Sequence, residues 1–328
     1  MIRYGSVCSG IEAATVAWHS LGWEPAFFSE IEKFPREVLA HHYPDVPLHG
    51  DFTTISENQY GPIDLLVGGT PCQSFSVAGL RKGLDDDRGN LALEFIKLAQ
   101  RERPQWVVWE NVPGVLSSNG GRDFGSFLGA LGEIGYGFAY RVLDAQYFGV
   151  AQRRRRVFVV GYLGDWRRAA AVLFERESLR GNPAPSRETR EEAAGATRAG
   201  AEVYEHHGQD SRTKELGELC TTVTAKYGTG GNNMPIVTAR MRGFGDYDCD
   251  GTASALKARD YKDATDLVAT QMAVRRLTPT ECERLQGFPD SYTNIKDKCP
   301  DGPRYKALGN SMAVPVMRWI GERIQQCP

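Results

Sequence analysis

The fold of this chain is indicated first by residues 63–74, which read Ile-Asp-Leu-Leu-Val-Gly-Gly-Thr-Pro-Cys-Gln-Ser. The first five of these residues form an apolar run that is typical of a buried parallel strand. Two glycines and a proline then end the strand and hold Cys72 just beyond it. Ligands of open α/β sheets bind outside the carboxyl ends of the strands, and a thiolate is a strong nucleophile once its pKa is lowered. Cys72 alone also fits a small side chain packed behind a strand.

The start of the chain predicts a second strand tip with a glycine turn. Residues 4–10 are expected to form a strand that ends at Gly10, before a helix over 11–21. A strand, a glycine turn and a helix form the first unit of a doubly wound sheet, and their junction is a natural site for a nucleotide-type cofactor. One glycine in the turn is a weak signal by itself, because the G-x-G-x-x-G pattern is absent.

Two acidic residues follow the next predicted strands. Glu30 comes after the strand 26–29, where an acidic residue ~20 positions past the glycine turn binds a ribose diol in such folds. It fits the N-terminus of a helix over 34–42 equally well. Asp51 follows a third possible strand, where it could accept a hydrogen bond from an adenine amino group or cap a turn.

A further carboxylate, Glu110, ends the strand that follows the cysteine strand in the sequence. The strand is predicted over 105–109, after a helix over 91–101. Consecutive strands of such sheets are often neighbours, so Cys72 and Glu110 are expected at adjacent tips, as a nucleophile and an acid would be. The intervening residues 78–90 lack apolar periodicity, which predicts a mobile functional loop or a plain solvated connection.

An arginine run, Gln152-Arg153-Arg154-Arg155-Arg156, opens the strand predicted through residue 162. Side chains alternate along a strand, so Gln152, Arg154 and Arg156 are expected on one face and the other two arginines on the opposite face. One of these two sets of side chains can therefore point into a cleft. A solvated basic face is the alternative interpretation.

Composition bounds the class of protein. The 328 residues allow one large domain or a large and a small one, and 41% hydrophobic with 24% charged residues is ordinary for a soluble globular chain. The sequence predicts neither a membrane span nor a signal peptide. Seven scattered cysteines without a C-x-x-C pair indicate no zinc site and no disulfide framework, which favours a reducing, cytoplasmic setting. A net charge of −2 disfavours nonspecific nucleic-acid binding but allows a local basic face.

The composition changes after about residue 164. Residues 175–201 predict long loops or a partly ordered linker, and 203–270 predict short strands and turns. Order returns with a helix that has Thr278 as N-cap, Pro279 at the first position, Glu281 to complete a capping box and Gly287 at its end. A last amphipathic helix is predicted over 316–325.

Six motifs in this order resemble the C5-cytosine DNA methyltransferases of bacteria and phages. The resemblance covers residues 5–162 and 273–325. One departure is Glu12, which stands where many members have a second glycine. The motifs are Ser9-Gly10-Ile11-Glu12, Gly69-Thr70-Pro71-Cys72-Gln73-Ser74, Glu110-Asn111-Val112, Gln152 with Arg154 and Arg156, Arg276-Leu277-Thr278-Pro279 through Gly287-Phe288-Pro289, and Gly309-Asn310-Ser311.

The resemblance implies an α/β fold with a doubly wound mixed sheet, Rossmann-like and dependent on S-adenosylmethionine. It implies a discontinuous catalytic domain over 1–163 and 273–328, and a smaller, irregular target-recognition domain over 164–272, with DNA in the cleft between them. The implied partner is double-stranded DNA, with no membrane and no metal, and the chain is expected to act as a cytoplasmic monomer.

The resemblance also implies a mechanism in which the Cys72 thiolate adds to C6 of a flipped-out cytosine and Glu110 interacts with N3. C5 then accepts the methyl group of S-adenosylmethionine, leaving S-adenosylhomocysteine. The implied catalytic residues are Cys72, Gln73, Glu110, Asn111 (bracing the cysteine loop), Arg154 and Arg156 (both on the O2 side of the base). The implied cofactor contacts are Cys8, Gly10, Ile11, Glu30, Asp51, Phe52, Pro71, Asn310 and Ser311.

Contacts to DNA are expected from the recognition segment and from the loop after Cys72. Thr222-Val223 and Ala255-Leu256 are alternative counterparts of a Thr-Leu pair that the family usually carries near the DNA. The candidate DNA-binding residues are Arg88, Gln152, Thr222, Val223, Arg240, Arg242, Lys257 and Arg259, with ordinary surface charge as the alternative for the basic ones.

Two other functions remain open from the sequence. A related branch of enzymes with the same catalytic set methylates tRNA, whereas the long segment before Leu277 favours duplex DNA. A catalytically silent DNA-binding relative is the other alternative, which the intact set of Cys72, Glu110, Arg154 and Arg156 disfavours.

Overall fold

The computed structural model describes residues 1–71, 91–174 and 277–327 in full, and five strands between 203 and 276 by their backbone. The chain forms two compact units. The first consists of Met1–Phe148, Arg155–Ala184 and Asn310–Pro328, and the second of Gly149–Arg154 and Pro185–Gly309. Several predicted features lie outside the described residues: the loop 78–90, Cys72, Gln73, Arg88, Thr222, Val223, Ala255, Leu256, Lys257 and Arg259.

The first unit contains a seven-stranded mixed sheet flanked by helices. Its strands are β1 (Arg3–Val7), β2 (Glu24–Ser29), β3 (Leu48–His49), β4 (Leu65–Gly68), β5 (Trp106–Asn111), β6 (Tyr136–Asp144) and β7 (Arg155–Leu163). Its helices are α1 (Ala13–Trp18), α2 (Lys33–His42), α3 (Leu91–Glu102), α4 (Arg122–Glu133), α5 (Trp166–Leu173) and α8 (Val314–Gln325).

The strand order is β3-β2-β1-β4-β5-β7-β6, which confirms the doubly wound mixed sheet. Strands β1 to β5 run parallel, and β7 pairs antiparallel with both β5 and β6. From β1 the chain first builds outward through β2 and β3, and then returns to add β4 and β5 on the other side. The tips of β1 and β4 therefore form the switch point of the sheet, where ligands of such folds bind.

Helix α3 shows why the sequence forms these layers. Its apolar residues recur at helical spacing, and Leu93, Phe95, Ile96 and Leu98 are all buried in the core. On the same side of the sheet, the indole ring of Trp109 stacks on Phe127 of α4, with ring centroids 4.2 Å apart.

The C-terminal helix α8 packs against α1, so the first unit is discontinuous in sequence. The Trp18 indole nitrogen donates a hydrogen bond to the Met317 carbonyl at 2.7 Å. Gly321 allows this approach, because a Cβ there would lie 2.4 Å from the Trp18 ring nitrogen. Since no Cβ fits at that distance, a larger residue at 321 would push the two helices apart.

The second unit contains an antiparallel sheet in the order β11-β10-β8-β9, with β12 also paired to β10. This agrees with the short strands predicted between 203 and 270. The strands are β8 (Val203–His206), β9 (Thr213–Gly217), β10 (Met234–Gly243), β11 (Asp246–Asp248) and β12 (Ala273–Arg276), followed by helices α6 (Pro279–Gln286) and α7 (Asp301–Asn310).

Helix α6 forms as its sequence predicts. Thr278 is the N-cap, and its side chain accepts a hydrogen bond from the backbone N–H of Glu281, whose carboxylate accepts one from the N–H of Thr278. Gly287 ends the helix with a left-handed φ of 79°.

The two units differ in their bounds from the predicted domains. Helix α5, which the sequence assigned to 164–272, belongs to the first unit, and residues 273–309 group with the second. Buried Ala169, Val172 and Leu173 anchor α5, and a Cβ at Gly137 of β6 would clash with the Trp166 backbone. A division into catalytic and recognition domains stays a prediction. None of the helices in the described ranges is long and apolar enough to cross a membrane.

Candidate functional site

The tips of β1, β4 and β5 border a cleft in the first unit. The cleft lies at the switch point of the sheet, where ligands of such folds bind. It is lined by Ser6, Val7, Cys8, Ser9, Gly10, Glu12 and Ala14 from β1, its turn and α1, by Val67 and Gly69, by Glu110, and by Asn310 and Met312.

The turn after β1 contains three residues with left-handed backbone angles. Cys8, Gly10 and Glu12 have φ values of 49°, 57° and 61°. The backbone N–H of Gly10 donates to one carboxylate oxygen of Glu30 at 2.8 Å, which ties the turn to the tip of β2. The other oxygen accepts from the N–H groups of Ile31 and Glu32, each at 2.8 Å. Three backbone donors therefore fix the Glu30 carboxylate beside the turn.

Cys8 lines the cleft, but its thiol is unsuited to nucleophilic chemistry. Burial raises the pKa of Cys8 to about 12, and the negative charges of Glu30 and Asp51 add to this increase. The thiol is therefore protonated at neutral pH, and a protonated thiol is a poor nucleophile. Asp51 itself accepts from the Thr53 N–H at 3.0 Å, so it caps a short turn, one of the two roles predicted for it.

Not every predicted cofactor residue borders the cleft. Ile11, Phe52 and Ser311 are buried and do not line the cleft. Pro71 is exposed and is the last described residue before Cys72. Cys8, Gly10 and Asn310 do line the cleft. The role of each in cofactor binding stays a prediction.

At the tip of β5, the Glu110 carboxylate is paired with an arginine from the neighbouring strand. Arg156 of β7 places its Nε 3.0 Å from the Glu110 Oε1. The other oxygen, Oε2, lies beside Gly69, where a Cβ would be 3.1 Å from it and 3.1 Å from the Met312 methyl group. The second glycine of the Gly68-Gly69 pair thus lets the β4 tip approach the carboxylate closely.

The tip of β5 also holds the segment that leads to the cysteine. The Trp109 indole N–H donates to the Thr70 hydroxyl at 2.9 Å, and the Asn111 amide donates to the Thr70 carbonyl at 3.0 Å. Asn111 is itself oriented by accepting from the Val112 N–H at 2.8 Å. The hydroxyl and the carbonyl of Thr70, two positions before Cys72, therefore both accept hydrogen bonds from the tip of β5.

The strand that was predicted to open with the arginine run begins later in the structure, within the run. Strand β7 begins at Arg155, but burial alternates as expected from Gln152 onward. Gln152 and Arg154 are buried, Arg153 and Arg155 are exposed, and Arg156 is half-buried. In the second unit, Arg154 donates from Nη2 to the Gly309 carbonyl at 3.1 Å. Arg240 and Arg242 lie on β10, whose backbone pairs with β11 at Arg240 and Asp248.

Sequence reasoning missed several residues of this site. Glu12 is buried and caps α1, Ser6 and Met312 line the cleft, and Trp109 and Thr70 form the hydrogen bond across the strand tips. The sequence predicted a helix over 11–21 and so placed Glu12 inside it, whereas α1 begins at Ala13 and Glu12 is its N-cap. In the part of the chain that the structure describes, no group of histidine, cysteine and acidic side chains could hold a metal ion.

Comparisons with known proteins agree with this architecture. The family model for C-5 cytosine-specific DNA methylase matches residues 2–326. A protein of Escherichia phage P1 named DNA N-6-adenine-methyltransferase is 38% identical over 98% of this chain, which covers 61% of that protein. The Type II methyltransferase M.SsoII of Shigella sonnei is 32% identical over 91% of this chain and 73% of its own.

Solved structures show the same fold at low sequence identity. The Dnmt2 methyltransferase of S. pombe gives a TM-score of 0.66 at 18% identity, with 99% of each chain covered. A putative DNA modification methyltransferase from an E. coli prophage gives 0.61 at 18%, covering 100% of this chain and 99% of that one. With the family model spanning nearly its whole length, the chain belongs to the C-5 cytosine-specific DNA methylase family.

Proposed function

We propose that this protein transfers a methyl group from S-adenosylmethionine to C5 of a flipped-out cytosine in a specific sequence of double-stranded DNA. The observation that carries the proposal is the junction of the β4 and β5 tips. Glu110 lines the cleft there, and Trp109 and Asn111 hold Thr70 two positions before Cys72. The candidate acid Glu110 and Thr70, which precedes the candidate nucleophile Cys72 by two positions, therefore lie at the same end of the first unit.

The chemistry requires a nucleophile because C5 of cytosine does not attack a methyl group unaided. The Cys72 thiolate would form a bond to C6, while Glu110 handles a proton at N3 so that the electron pair of the C5–C6 bond moves to C5. S-adenosylmethionine supplies the electrophilic methyl group when bound. Loss of the C5 proton and release of the cysteine then restore the aromatic ring and the free thiolate. Cys8 does not fit this role, since its pKa of about 12 keeps it protonated.

The residues around the β1 turn fit the cofactor. Gly10 lines the cleft, and nothing lies within 4 Å of a Cβ built on it, so a ligand can approach the turn closely. Glu30 accepts three backbone N–H groups, and a carboxylate has about four acceptor positions, so capacity remains for a ribose hydroxyl. Asn310 adds an amide to the cleft wall.

The base would have to leave the duplex to reach this site, at a cost of a few kcal/mol. In the proposal, Arg154 and Arg156 orient the extruded cytosine at its O2 side, and residues of the second unit read the flanking sequence. We expect a cytoplasmic enzyme that acts on double-stranded DNA. Because relatives such as M.SsoII are named Type II methyltransferases, we expect bisulfite sequencing of host DNA after expression to reveal one recurrent methylated sequence.

The decisive experiment measures transfer of labelled methyl groups from S-adenosylmethionine to mixed-sequence DNA. We expect transfer by the wild-type protein, loss by at least about 10³-fold in Cys72→Ser, and near-wild-type transfer in the control Cys327→Ser. DNA containing 5-fluorocytosine should trap the wild-type protein covalently, because the fluorine at C5 cannot leave as a proton does.

Identification of the product separates the alternatives. Mass spectrometry of digested DNA should yield 5-methylcytosine. N6-methyladenine would instead support the activity in the name of the phage P1 relative, and methylated cytosine in tRNA alone would support an RNA substrate. DNA binding without transfer to any of these would contradict the proposal and favour a silent relative.

A further inference from the structure

Glu12 is a buried carboxylate in the wall of the cleft. Its side chain is 1% exposed, and it lines the cleft together with Ser6 and Gly10. The second carboxylate in the cleft wall, Glu110, is paired with Arg156. Glu12 differs from it, because no lysine, arginine or histidine of the described ranges forms an ion pair with it.

Uncharged donors surround the Glu12 carboxylate. One oxygen accepts from the Ser6 hydroxyl. The other accepts from the Thr15 backbone N–H at 3.2 Å and the Thr15 hydroxyl at 2.7 Å, and that hydroxyl also bonds to the Tyr4 hydroxyl at 2.8 Å. These hydrogen bonds favour the ionised form, whereas burial opposes it and raises the pKa of Glu12. A buried charge without a counter-charge is costly, and a cation brought into the cleft would offset that cost.

The backbone at this position is also unfavourable for a glutamate. Glu12 has φ 61° and ψ 59°, a left-handed conformation that glycine adopts without strain. A strained backbone and a buried charge at one residue are typical of a functional constraint, because each one alone destabilises the fold. Capping of α1 does not explain the choice, since serine, threonine, aspartate and asparagine are the usual caps.

We propose that Glu12 is the counter-charge for a cationic group of bound S-adenosylmethionine and so determines which ligands the cleft prefers. The inference rests on the proposed cofactor. S-adenosylmethionine carries two cations, its sulfonium and its α-ammonium. S-adenosylhomocysteine keeps only the ammonium, and 5′-methylthioadenosine has neither, so these three ligands separate the two sources of charge.

The test compares dissociation constants of the three ligands, measured by calorimetry, for wild-type protein and Glu12→Gln. The amide keeps an oxygen that can accept from Thr15 but removes the charge. If the sulfonium is the partner, affinity for S-adenosylmethionine falls about tenfold and the other two affinities stay unchanged. If the ammonium is the partner, S-adenosylmethionine and S-adenosylhomocysteine weaken about tenfold together and methylthioadenosine does not.

Equal weakening of all three ligands, or no change in any, would overturn the inference, because a purely structural cap does not distinguish ligands by charge. Glu12→Gly provides a second variant that relieves the left-handed backbone, and it should show the same selectivity. Glu24→Gln, at an exposed carboxylate of β2, is the matched control and should change none of the affinities. Wild-type protein that binds none of the three ligands would overturn the proposed cofactor itself, a result that is distinct from loss of selectivity.

Discussion

Glu12 and Glu110 both line the cleft, on either side of the β4 tip, but in opposite electrostatic surroundings. Glu110, at the tip of β5, lies 3.0 Å from the guanidinium of Arg156. Glu12, beyond the tip of β1, is held by hydroxyl and backbone donors and has no cationic partner in the described ranges. The arginine beside Glu110 stabilises the carboxylate charge without a ligand, whereas a buried carboxylate without a counter-ion is stabilised when a ligand supplies one. We propose that the β5 side of the cleft carries the chemistry and that the β1 side selects the ligand.

The largest expected effect comes from removing the charge on the β5 side. In Glu110→Gln we expect the rate of methyl transfer to saturating DNA to fall about 10³-fold, because the amide cannot manage the proton at N3. Affinity for S-adenosylmethionine should stay within about threefold of wild type. Single-turnover transfer and calorimetry measure the two quantities separately.

Glu24→Gln again serves as the exposed control and should retain the wild-type rate. Transfer by Glu110→Gln within about tenfold of wild type would show that the β5 side does not carry the chemistry.

An intermediate effect is expected at the tip of β2. In Glu30→Gln, one of the oxygens that accept from Gly10, Ile31 and Glu32 becomes an amide donor, and a ribose diol loses its charged acceptor. We expect all three adenosine ligands to weaken about ten- to hundredfold together, which corresponds to hydrogen bonds of about 1.5–3 kcal/mol to a charged group. Calorimetry with the same three ligands provides the measurement.

This uniform loss contrasts with the selective loss expected for Glu12→Gln, so the two variants distinguish binding of the ribose from recognition of the ligand's charge. Selective weakening of S-adenosylmethionine in Glu30→Gln would contradict it, because the ribose is common to all three ligands.

The smallest effect concerns the anchor before the cysteine. Thr70→Val keeps the side-chain shape but removes the acceptor of the Trp109 indole N–H, a buried bond of 2.9 Å. We expect a loss of about 1–2 kcal/mol in the free energy of unfolding, measured by urea denaturation. Transfer should slow several-fold, while the Asn111 bond to the Thr70 carbonyl keeps the segment in place.

A double-mutant cycle with Trp109→Phe tests the contact directly. A coupling energy of about 1 kcal/mol is expected, and additive effects of the two changes would show that the bond does not stabilise the strand tips.

Local interactions explain why much of the fold is predictable from the sequence. The capping box of α6 joins Thr278 to Glu281, three residues away, and the helix ends at the glycine that the sequence indicates. The strand tips that carry Gly10, Gly69 and Glu110 follow from apolar runs ended by turn residues. The family resemblance then predicted the doubly wound sheet and the C5-cytosine methylase family, both confirmed.

The sequence by itself thus determined the elements, their order and the side chains at their ends, because helix caps and strand ends depend on neighbours a few residues away. Only the tertiary structure decided that Arg156 pairs with Glu110, that the Trp109 indole reaches Thr70 across 39 positions, and that Glu12 is buried in the cleft wall. Those contacts depend on which strands become neighbours and how closely their tips approach. The sequence specifies which residues carry a carboxylate, but packing between distant segments determines the counter-ion of each one.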